Sequence, residues 1–466
     1  FMPVGVATCV ETGRATPRYL ISAPTMSGVA DNVSATLNVA LACGAAPRES
    51  TPTATASQEE AALRALAASV TRENVAGDVW HYLFTVPVGT GPNAYLRIHR
   101  VVREKAPWRP RESVTAAMLL HGDFATFETN FAPSLGDPPS ASTGLAGYLA
   151  RRGVDVWGLD RRWTNASADP AADVSDFATM GLAEEIGDVA TALAFARGVR
   201  LLTDHEDGRM KLMGFSHGGQ LAYVYAAWEA ARPAWQRHVD GLVPLDVYAS
   251  LGPADEDLRL MYCDFSAFEY QLVADGEIDS PNTFVRRVGA NALAAPDAQT
   301  PMQGGFPGFT NAEVLRFFAG QTYFFFPATP VYHLAAPVLD QGFPVGLRYS
   351  TDAAIATWFA GAAPHQSMLE AADFDAMLCN EAPLPVDAPL SRIRVPVFAL
   401  AAAGGYGERA LFSASQVGAS DVQTLVIRRL PVAQEEEDFG HGDLLYAADA
   451  ERLAWAPLMT WLAGHR

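Results

Sequence analysis

Gly214-Phe215-Ser216-His217-Gly218-Gly219 is the stretch on which the reading of this chain turns. It follows an apolar run, Met210-Lys211-Leu212-Met213, and precedes a helical pattern over 220–232. A serine flanked by glycines in that setting reads as a nucleophile elbow, a tight strand-to-helix turn that lifts the serine hydroxyl above a sheet. Gly214 and Gly218 stand two residues from Ser216 on either side, where a side chain would collide with the turn, and Gly219 lets the helix approach the strand. The plain alternative is a glycine-rich turn with an inert serine; the strand before and the helix after weigh against it.

Outward from this turn the chain alternates between strand and helix patterns. Ala116-Ala117-Met118-Leu119-Leu120 is a continuous apolar run, as expected for a strand buried on both faces. A helix over 145–152 leads to Val154-Asp155-Val156-Trp157-Gly158-Leu159, and one over 184–197 leads to the strand before Ser216. The helix over 220–232 leads to Leu242-Val243-Pro244-Leu245. This predicts an α/β fold with a mostly parallel central sheet flanked by helices. Trp80-His81-Tyr82-Leu83-Phe84 and Tyr95-Leu96-Arg97-Ile98-His99-Arg100-Val101 alternate in polarity around a Gly/Pro/Asn turn and predict an antiparallel hairpin. His81 and His99 then read as surface or cross-strand groups rather than ligands.

After Leu245 the alternation stops. Residues 247–390 are rich in Phe, Tyr, Pro and Gly, including Tyr323-Phe324-Phe325-Phe326-Pro327. It resumes with Val395-Pro396-Val397-Phe398-Ala399-Leu400, a helix near 408–417, a strand Val422-Gln423-Thr424-Leu425-Val426-Ile427 and an amphipathic helix over 449–463. Residues 1–77 carry a strand pattern over 34–41 and a helix start at Ser57 and Glu60, which have capping-box spacing. The expected organisation is an N-terminal extension over 1–77, a core in two parts, 78–246 and 391–466, and an insertion over 247–390.

The chain has 466 residues and a formal charge of −19, from 33 Lys+Arg against 52 Asp+Glu. That balance argues against nucleic acid as a partner, because phosphate backbones are held by clustered Lys and Arg. No apolar run approaches the ~20 residues that cross a bilayer. Phe1-Met2-Pro3-Val4 begins without a basic region and an apolar core, so a secretory signal is expected to be absent or already removed. The four cysteines, Cys9, Cys43, Cys263 and Cys379, form no CxxC or Cys/His cluster, which argues against a zinc site. They read either as four buried thiols or as two disulfides, Cys9–Cys43 and Cys263–Cys379; the second reading suits an extracellular or periplasmic protein.

His121-Gly122-Asp123-Phe124 ends the first parallel strand. A backbone N–H there, from Asp123 or alternatively Phe124, can pair with the N–H of His217 to form an oxyanion hole, in which one lost donor costs about 3 kcal/mol of barrier. Strand–His-Gly, then strand–Gly-x-Ser-x-Gly–helix, then a late histidine in Phe439-Gly440-His441-Gly442-Asp443-Leu444 resembles the α/β-hydrolase family over 79–246 and 391–466. The local Gly-His-Gly-Asp sequence is similar to the acid-lipase branch. The resemblance implies Ser216 as nucleophile, His441 as base and the insertion as a cap. A serine nucleophile is unlike the aspartate of haloalkane dehalogenases and epoxide hydrolases.

The third member departs from the family pattern. The acid usually follows the strand that begins here at Val395, but this chain reads Ala403-Gly404-Gly405-Tyr406-Gly407-Glu408, with no Asp. Asp246, directly at the end of the preceding strand, is preferred; Glu408 is the alternative. Asp160-Arg161-Arg162-Trp163 resembles the family's Asp-x-Arg loop, a structural feature in which Arg162 or Trp163 has the option of touching substrate. Glu435-Glu436-Glu437-Asp438 reads as a solvated face that modestly raises the basicity of His441.

The sequence-level expectation is a serine hydrolase that cleaves carboxylic esters of hydrophobic or bulky substrates through an acyl-enzyme. Its partner is a small-molecule hydrophobic ester, and no metal or organic cofactor is implied. Two readings stay open beside it: the same triad applied to amide, thioester or C–C bonds or to acyl transfer, and a non-catalytic lipid-binding protein on a hydrolase scaffold.

Overall fold

A computed structural model describes residues 18–22, 36–40, 70–133, 144–204, 208–322, 329 and 331–465. The helix expected from Ser57, the pair Cys9–Cys43 and the aromatic run Tyr323–Phe326 lie outside them. Two short strands, β1 (Arg18–Ser22) and β2 (Thr36–Ala40), pair antiparallel with each other.

The central sheet is built from β3 (Val70–Ala76), β4 (Val79–Pro87), β5 (Tyr95–Ala106), β6 (Arg109–Pro110), β7 (Thr115–Leu120), β8 (Val154–Asp160), β9 (Met210–Phe215), β10 (Val239–Leu245), β13 (Val397–Ala402) and β14 (Val422–Ile427). Its order is β14-β13-β10-β9-β7-β8-β5-β4-β3, with β6 paired to β5. From β8 to β14 all neighbours are parallel, and β5, β4 and β3 add an antiparallel edge. The sheet begins at β3, before the boundary expected at residue 78. Val70-Thr71-Arg72-Glu73-Asn74-Val75-Ala76 is a mixed polar strand at an edge, where the apolar signal is weakest.

Both faces of the parallel part are covered, which is why its strands read as continuous apolar runs. On β7, Ala117 and Leu119 enter one core with Phe127, Phe131 and Trp455, while Ala116, Met118 and Leu120 enter the other with Leu193, Leu221 and Tyr223. On β9, Met213 and Phe215 share the first core, Met210 and Leu212 the second. Helices α1 (Phe127–Phe131), α2 (Gly144–Arg151), α3 (Leu182–Asp204) and α4 (His217–Ala230) supply much of that cover. The last helical stretch is divided: a π turn over Glu451–Trp455 precedes a helix over Ala456–Gly464, with Pro457 in its first turn, where a missing N–H costs least.

Between β10 and β13 the chain runs through α5 (Glu256–Ala274), α6 (Thr283–Ala294), α7 (Asn311–Gly320), the hairpin of β11 (Pro337–Asp340) with β12 (Phe343–Leu347), α8 (Asp352–Ala360) and α9 (Met368–Cys379). Helix α5 packs on α9, and a Cys263–Cys379 disulfide ties them together. This inserted segment is anchored to the core by Asp373, which accepts the Leu182 N–H at 2.8 Å and the Tyr270 hydroxyl at 2.6 Å.

The disulfide joins residues separated by 116 positions, so it removes much freedom from the unfolded chain. Cys263 and Cys379 should resist alkylation until reductant is added. Replacing both by serine should lower the unfolding free energy by about 2–5 kcal/mol, read by denaturant titration.

Candidate active site

The register of the sheet gathers the candidate residues. Leu120 lies beside Gly214, Phe215 beside Leu245, and Leu245 beside Leu400. The residues after these strand ends, His121, Ser216 and Asp246, therefore emerge together at the carboxyl edge, where open α/β sheets bind ligands.

Ser216 has φ +54° and ψ −132°, a conformation that L residues rarely adopt, and it leads straight into α4. The glycines around it answer to close contacts. A Cβ on Gly214 would lie 2.1 Å from the Gly218 carbonyl oxygen, and one on Gly218 would lie 2.3 Å from that of Leu120. Asp246 and Phe124 also have positive φ, at +46° and +44°. Strained backbone is thus concentrated around Ser216, as at sites where geometry is held by its surroundings.

His441 and Asp246 are brought together. Nδ1 of His441 stands 2.7 Å from Oδ2 of Asp246, with His441 2% exposed and Asp246 fully buried. Donation from Nδ1–H to the carboxylate leaves Nε2 as the proton-accepting nitrogen. Asp246 also accepts the N–H of Ala402 at 2.9 Å and that of Tyr406 at 3.2 Å. The glycine-rich turn after β13 therefore supplies a donor, the Tyr406 N–H, to the carboxylate at the end of the neighbouring strand. Its Gly405 has no room for a side chain, since a Cβ would meet Oδ2 of Asp246 at 1.9 Å. The imidazole of His441 stacks on Phe215, the residue before Ser216, with centroids 4.4 Å apart, and is flanked by Tyr332 and Tyr406. Glu408 is exposed at the start of a helix over Glu408–Ser415.

The loop after β7 is fixed from below and from the side. Burial pushes His121 down to about 4, so its ring is neutral; Nδ1–H donates to the Gly122 carbonyl at 2.9 Å and Nε2 accepts the Arg161 N–H at 3.1 Å. The Gly122 N–H donates to Asn130 at 2.9 Å. Among the described residues no acceptor takes the N–H of Asp123 or His217. The alternative donor, Phe124 N–H, is engaged by Oε1 of Gln366 at 3.3 Å.

Two inserted residues at this loop had no signal in the sequence. Gln366 donates to the Asp123 carboxylate at 2.6 Å while accepting from Phe124. Glu370, fully buried, pairs with Arg161 and lies 3.7 Å from Nε2 of His217. The His217 ring is turned to Asp123 at 2.5 Å, so the Asp123 side chain is engaged rather than freely solvated.

The contacts of the loop after β8 agree with its structural reading: Trp163 is fully buried and Arg162 pairs with Glu184 and Asp188. Other expectations are corrected. In the acidic run, Asp438 is fully buried, where it accepts the N–H groups of Arg429 at 2.8 Å and Phe439 at 2.7 Å as a loop staple. Glu435 and Glu437 pair with Arg428 and Arg348. His81 and His99 are cross-strand groups, but buried ones, because helix α1 covers that face of the hairpin.

The loop carrying His441 is held by the inserted segment. The N–H groups of His441 and Gly442 donate to the carbonyls of His333 and Leu334 at 3.0 and 2.6 Å. Asp443 accepts the N–H groups of Ala336 at 2.9 Å and Gly440 at 2.8 Å, and bonds the Ser350 hydroxyl.

Complete burial pushes the Asp443 carboxyl up to about 6 despite these bonds. Its value in the folded chain lies above the ordinary 3.8, so ionisation opposes folding. The contribution is fully present below about pH 4 and is lost as pH rises through about 6, by at most about 3 kcal/mol. Asp443→Asn keeps the acceptor and should flatten this slope, so denaturant unfolding at pH 5 and pH 8 should differ less than in the unaltered chain. Asp246 generates a second prediction. The His441 Nδ1–H proton should resonate far downfield in NMR, vanish in Asp246→Asn and shift in Gly405→Ala.

No protein-family model matches the chain, and no curated protein matches it in sequence. Solved structures do match in shape. A protein of Sulfolobus solfataricus described as a "putative lipase" superposes with a TM-score of 0.58 at 16% identity, over 85% of this chain and 99% of that one. A thermophilic esterase from Thermogutta terrifontis aligns at 13% identity over 82% and 98% of the two chains, with a TM-score of 0.39. A soluble variant of monoglyceride lipase from Saccharomyces cerevisiae aligns at 11% identity over 85% and 94%, with a TM-score of 0.41. The first superposition agrees with the strand order and the strand–Ser216–helix turn described above: this chain has the α/β-hydrolase fold.

Proposed function

We propose that the chain is a serine hydrolase of carboxylic esters, with Ser216, His441 and Asp246 as its triad. The observation that carries this reading is the buried Asp246–His441 hydrogen bond at the strand end next to the strained Ser216. Ser216 Oγ attacks the ester carbonyl carbon as Nε2 of His441 takes its proton. The carbonyl oxygen becomes an oxyanion held by the N–H groups of His217 and Asp123. Collapse expels the alcohol, which receives the proton from His441. Water then attacks the acyl-enzyme with His441 as base and releases the acid. Asp246 fixes the ring orientation and stabilises the imidazolium without itself taking the proton.

In this reading the core is formed by 78–246 and 391–466, the inserted residues 247–390 cap the site, and residues 1–77 are an extension whose last strand, β3, joins the core sheet. The aromatic surroundings of His441 support a hydrophobic or bulky ester. The substrate in this reading is a small molecule; no helix among the described residues is long and apolar enough to cross a bilayer. The protein acts outside the cytosol, a reading supported by the Cys263–Cys379 disulfide.

p-Nitrophenyl esters of rising chain length, assayed beside matched anilides, test this. Ester turnover should exceed anilide turnover, and Asp246→Asn should lower kcat by about ten-thousand-fold. Glu408→Gln should stay within about two-fold, in keeping with a surface substitution. Loss confined to Glu408→Gln, or an anilide preference, would contradict the assignment.

A further inference from the structure

The hairpin beside the parallel sheet carries a second cluster of polar residues that the proposed chemistry does not use. His81 on β4 and His99 on β5 point to the same face, because His99 stands opposite Leu83, two residues from His81. Both are buried, at 3% and 0% exposure. Nε2 of His81 and Nδ1 of His99 face each other at 2.9 Å. The outer nitrogen of each ring is already committed to a carboxylate: Nδ1 of His81 to Glu73 at 2.9 Å, and Nε2 of His99 to Asp160 at 3.1 Å.

That arrangement sets the tautomers. A neutral imidazole has one N–H, and a carboxylate accepts but does not donate. If each ring donates its one N–H to its carboxylate, the two facing nitrogens both present lone pairs. Two lone pairs at hydrogen-bond distance, enclosed in protein, repel unless a cation lies between them. A third donor lies close by: a carboxylate oxygen of Glu128, on α1, stands within 4.8 Å of a ring nitrogen of each histidine.

The rest of the setting fits a metal centre. Histidine ligands ordinarily donate their second nitrogen to a carboxylate, which orients the ring and raises its basicity; here both do. Glu73, Glu128 and Asp160 are opposed by Arg97, which lies 3.6 Å from Asp160. With neutral rings this leaves two negative charges, which a divalent cation would neutralise. Nitrogens about 2.1 Å from a tetrahedral zinc stand about 3.4 Å apart, so the pair has only a few tenths of an ångström to open. Two imidazoles and a carboxylate suit zinc or a neighbouring transition metal better than calcium or magnesium, which prefer oxygen.

We propose that His81, His99 and Glu128 form a binding site for a divalent transition-metal ion of the zinc type. The ion would join the β4–β5 hairpin to α1, whose first N–H, that of Phe127, is already held by Asp160 at 2.7 Å. Helix α1 follows the Asp123–Phe124 loop directly, so the ion would brace that loop. The absence of Cys ligands, which argued against zinc from composition, does not bear on a His/His/Glu set.

The test is titration of the chelator-stripped full chain with Co2+, followed by Zn2+ competition. The expected result is one equivalent of Co2+ with an intense visible band typical of low coordination, displaced by one equivalent of Zn2+. His81→Asn and His99→Asn should each abolish the band. Glu128→Gln should weaken binding, and Glu73→Gln, which alters only an outer carboxylate on the surface, should weaken it by about 10–100-fold. Ser216→Ala should bind as the unaltered chain does, so the result stands apart from the hydrolase assignment. Circular dichroism identifies any variant that has not folded. The proposal is overturned if the folded, stripped chain gives no such band, if Glu73→Gln and Glu128→Gln bind as tightly as the unaltered chain, or if NMR shows a proton shared between the two rings that persists in excess Zn2+.

Discussion

Asp246 is a carboxylate with no exposed surface, and the carboxyl edge of the sheet is arranged around keeping it there. An ionised carboxylate out of water costs several kcal/mol unless it is hydrogen-bonded and paired. Asp246 has His441 on one oxygen and the Ala402 N–H on the other, with the Tyr406 N–H beside them. The Tyr406 donor is in place because Gly404-Gly405-Tyr406-Gly407 bends back over the strand end, and Gly405 leaves the space that the carboxylate fills. The turn after β13 thus cradles a carboxylate that belongs to the neighbouring strand.

The inserted segment is coupled to this arrangement through contacts of both its backbone and its side chains. His333 donates its N–H to the Gly404 carbonyl and accepts that of His441, so one residue bridges the acid's turn and the base's loop. On the opposite side, Gln366 and Glu370 reach Asp123, Phe124, Arg161 and His217. Both halves of the proposed machinery, the His–Asp pair and the oxyanion donors, are therefore positioned in part by residues outside the α/β core. A displacement of the insertion would be felt at Ser216 without any change in the sheet.

Much of this was legible in the sequence. The parallel strands announce themselves because burial on both faces makes them continuous apolar runs, as in Ala116–Leu120. The turn at Ser216 is visible because steric crowding demands glycine at Gly214 and Gly218. Asp246 is preferred over Glu408 from the sequence because it ends a strand. What could not be read depends on contacts distant along the chain. Gln366 meets Asp123 across 243 positions, and no local pattern marks an amide that will do so. Asp438 looked like one more charge in a solvated run, yet it is the member turned inward to staple the loop. His81 and His99 carry the alternation of a hairpin, which places them on one face but does not say that α1 will cover it.

The central claim is that Ser216 is an activated nucleophile, and covalent labelling tests it most directly. The folded chain is treated with a fluorophosphonate, weighed intact and mapped by peptide mass spectrometry. The account predicts a single phosphonate adduct on Ser216, absent in Ser216→Ala and formed much more slowly in Asp246→Asn. A folded chain that takes up no label, or takes it up at another residue, would contradict it.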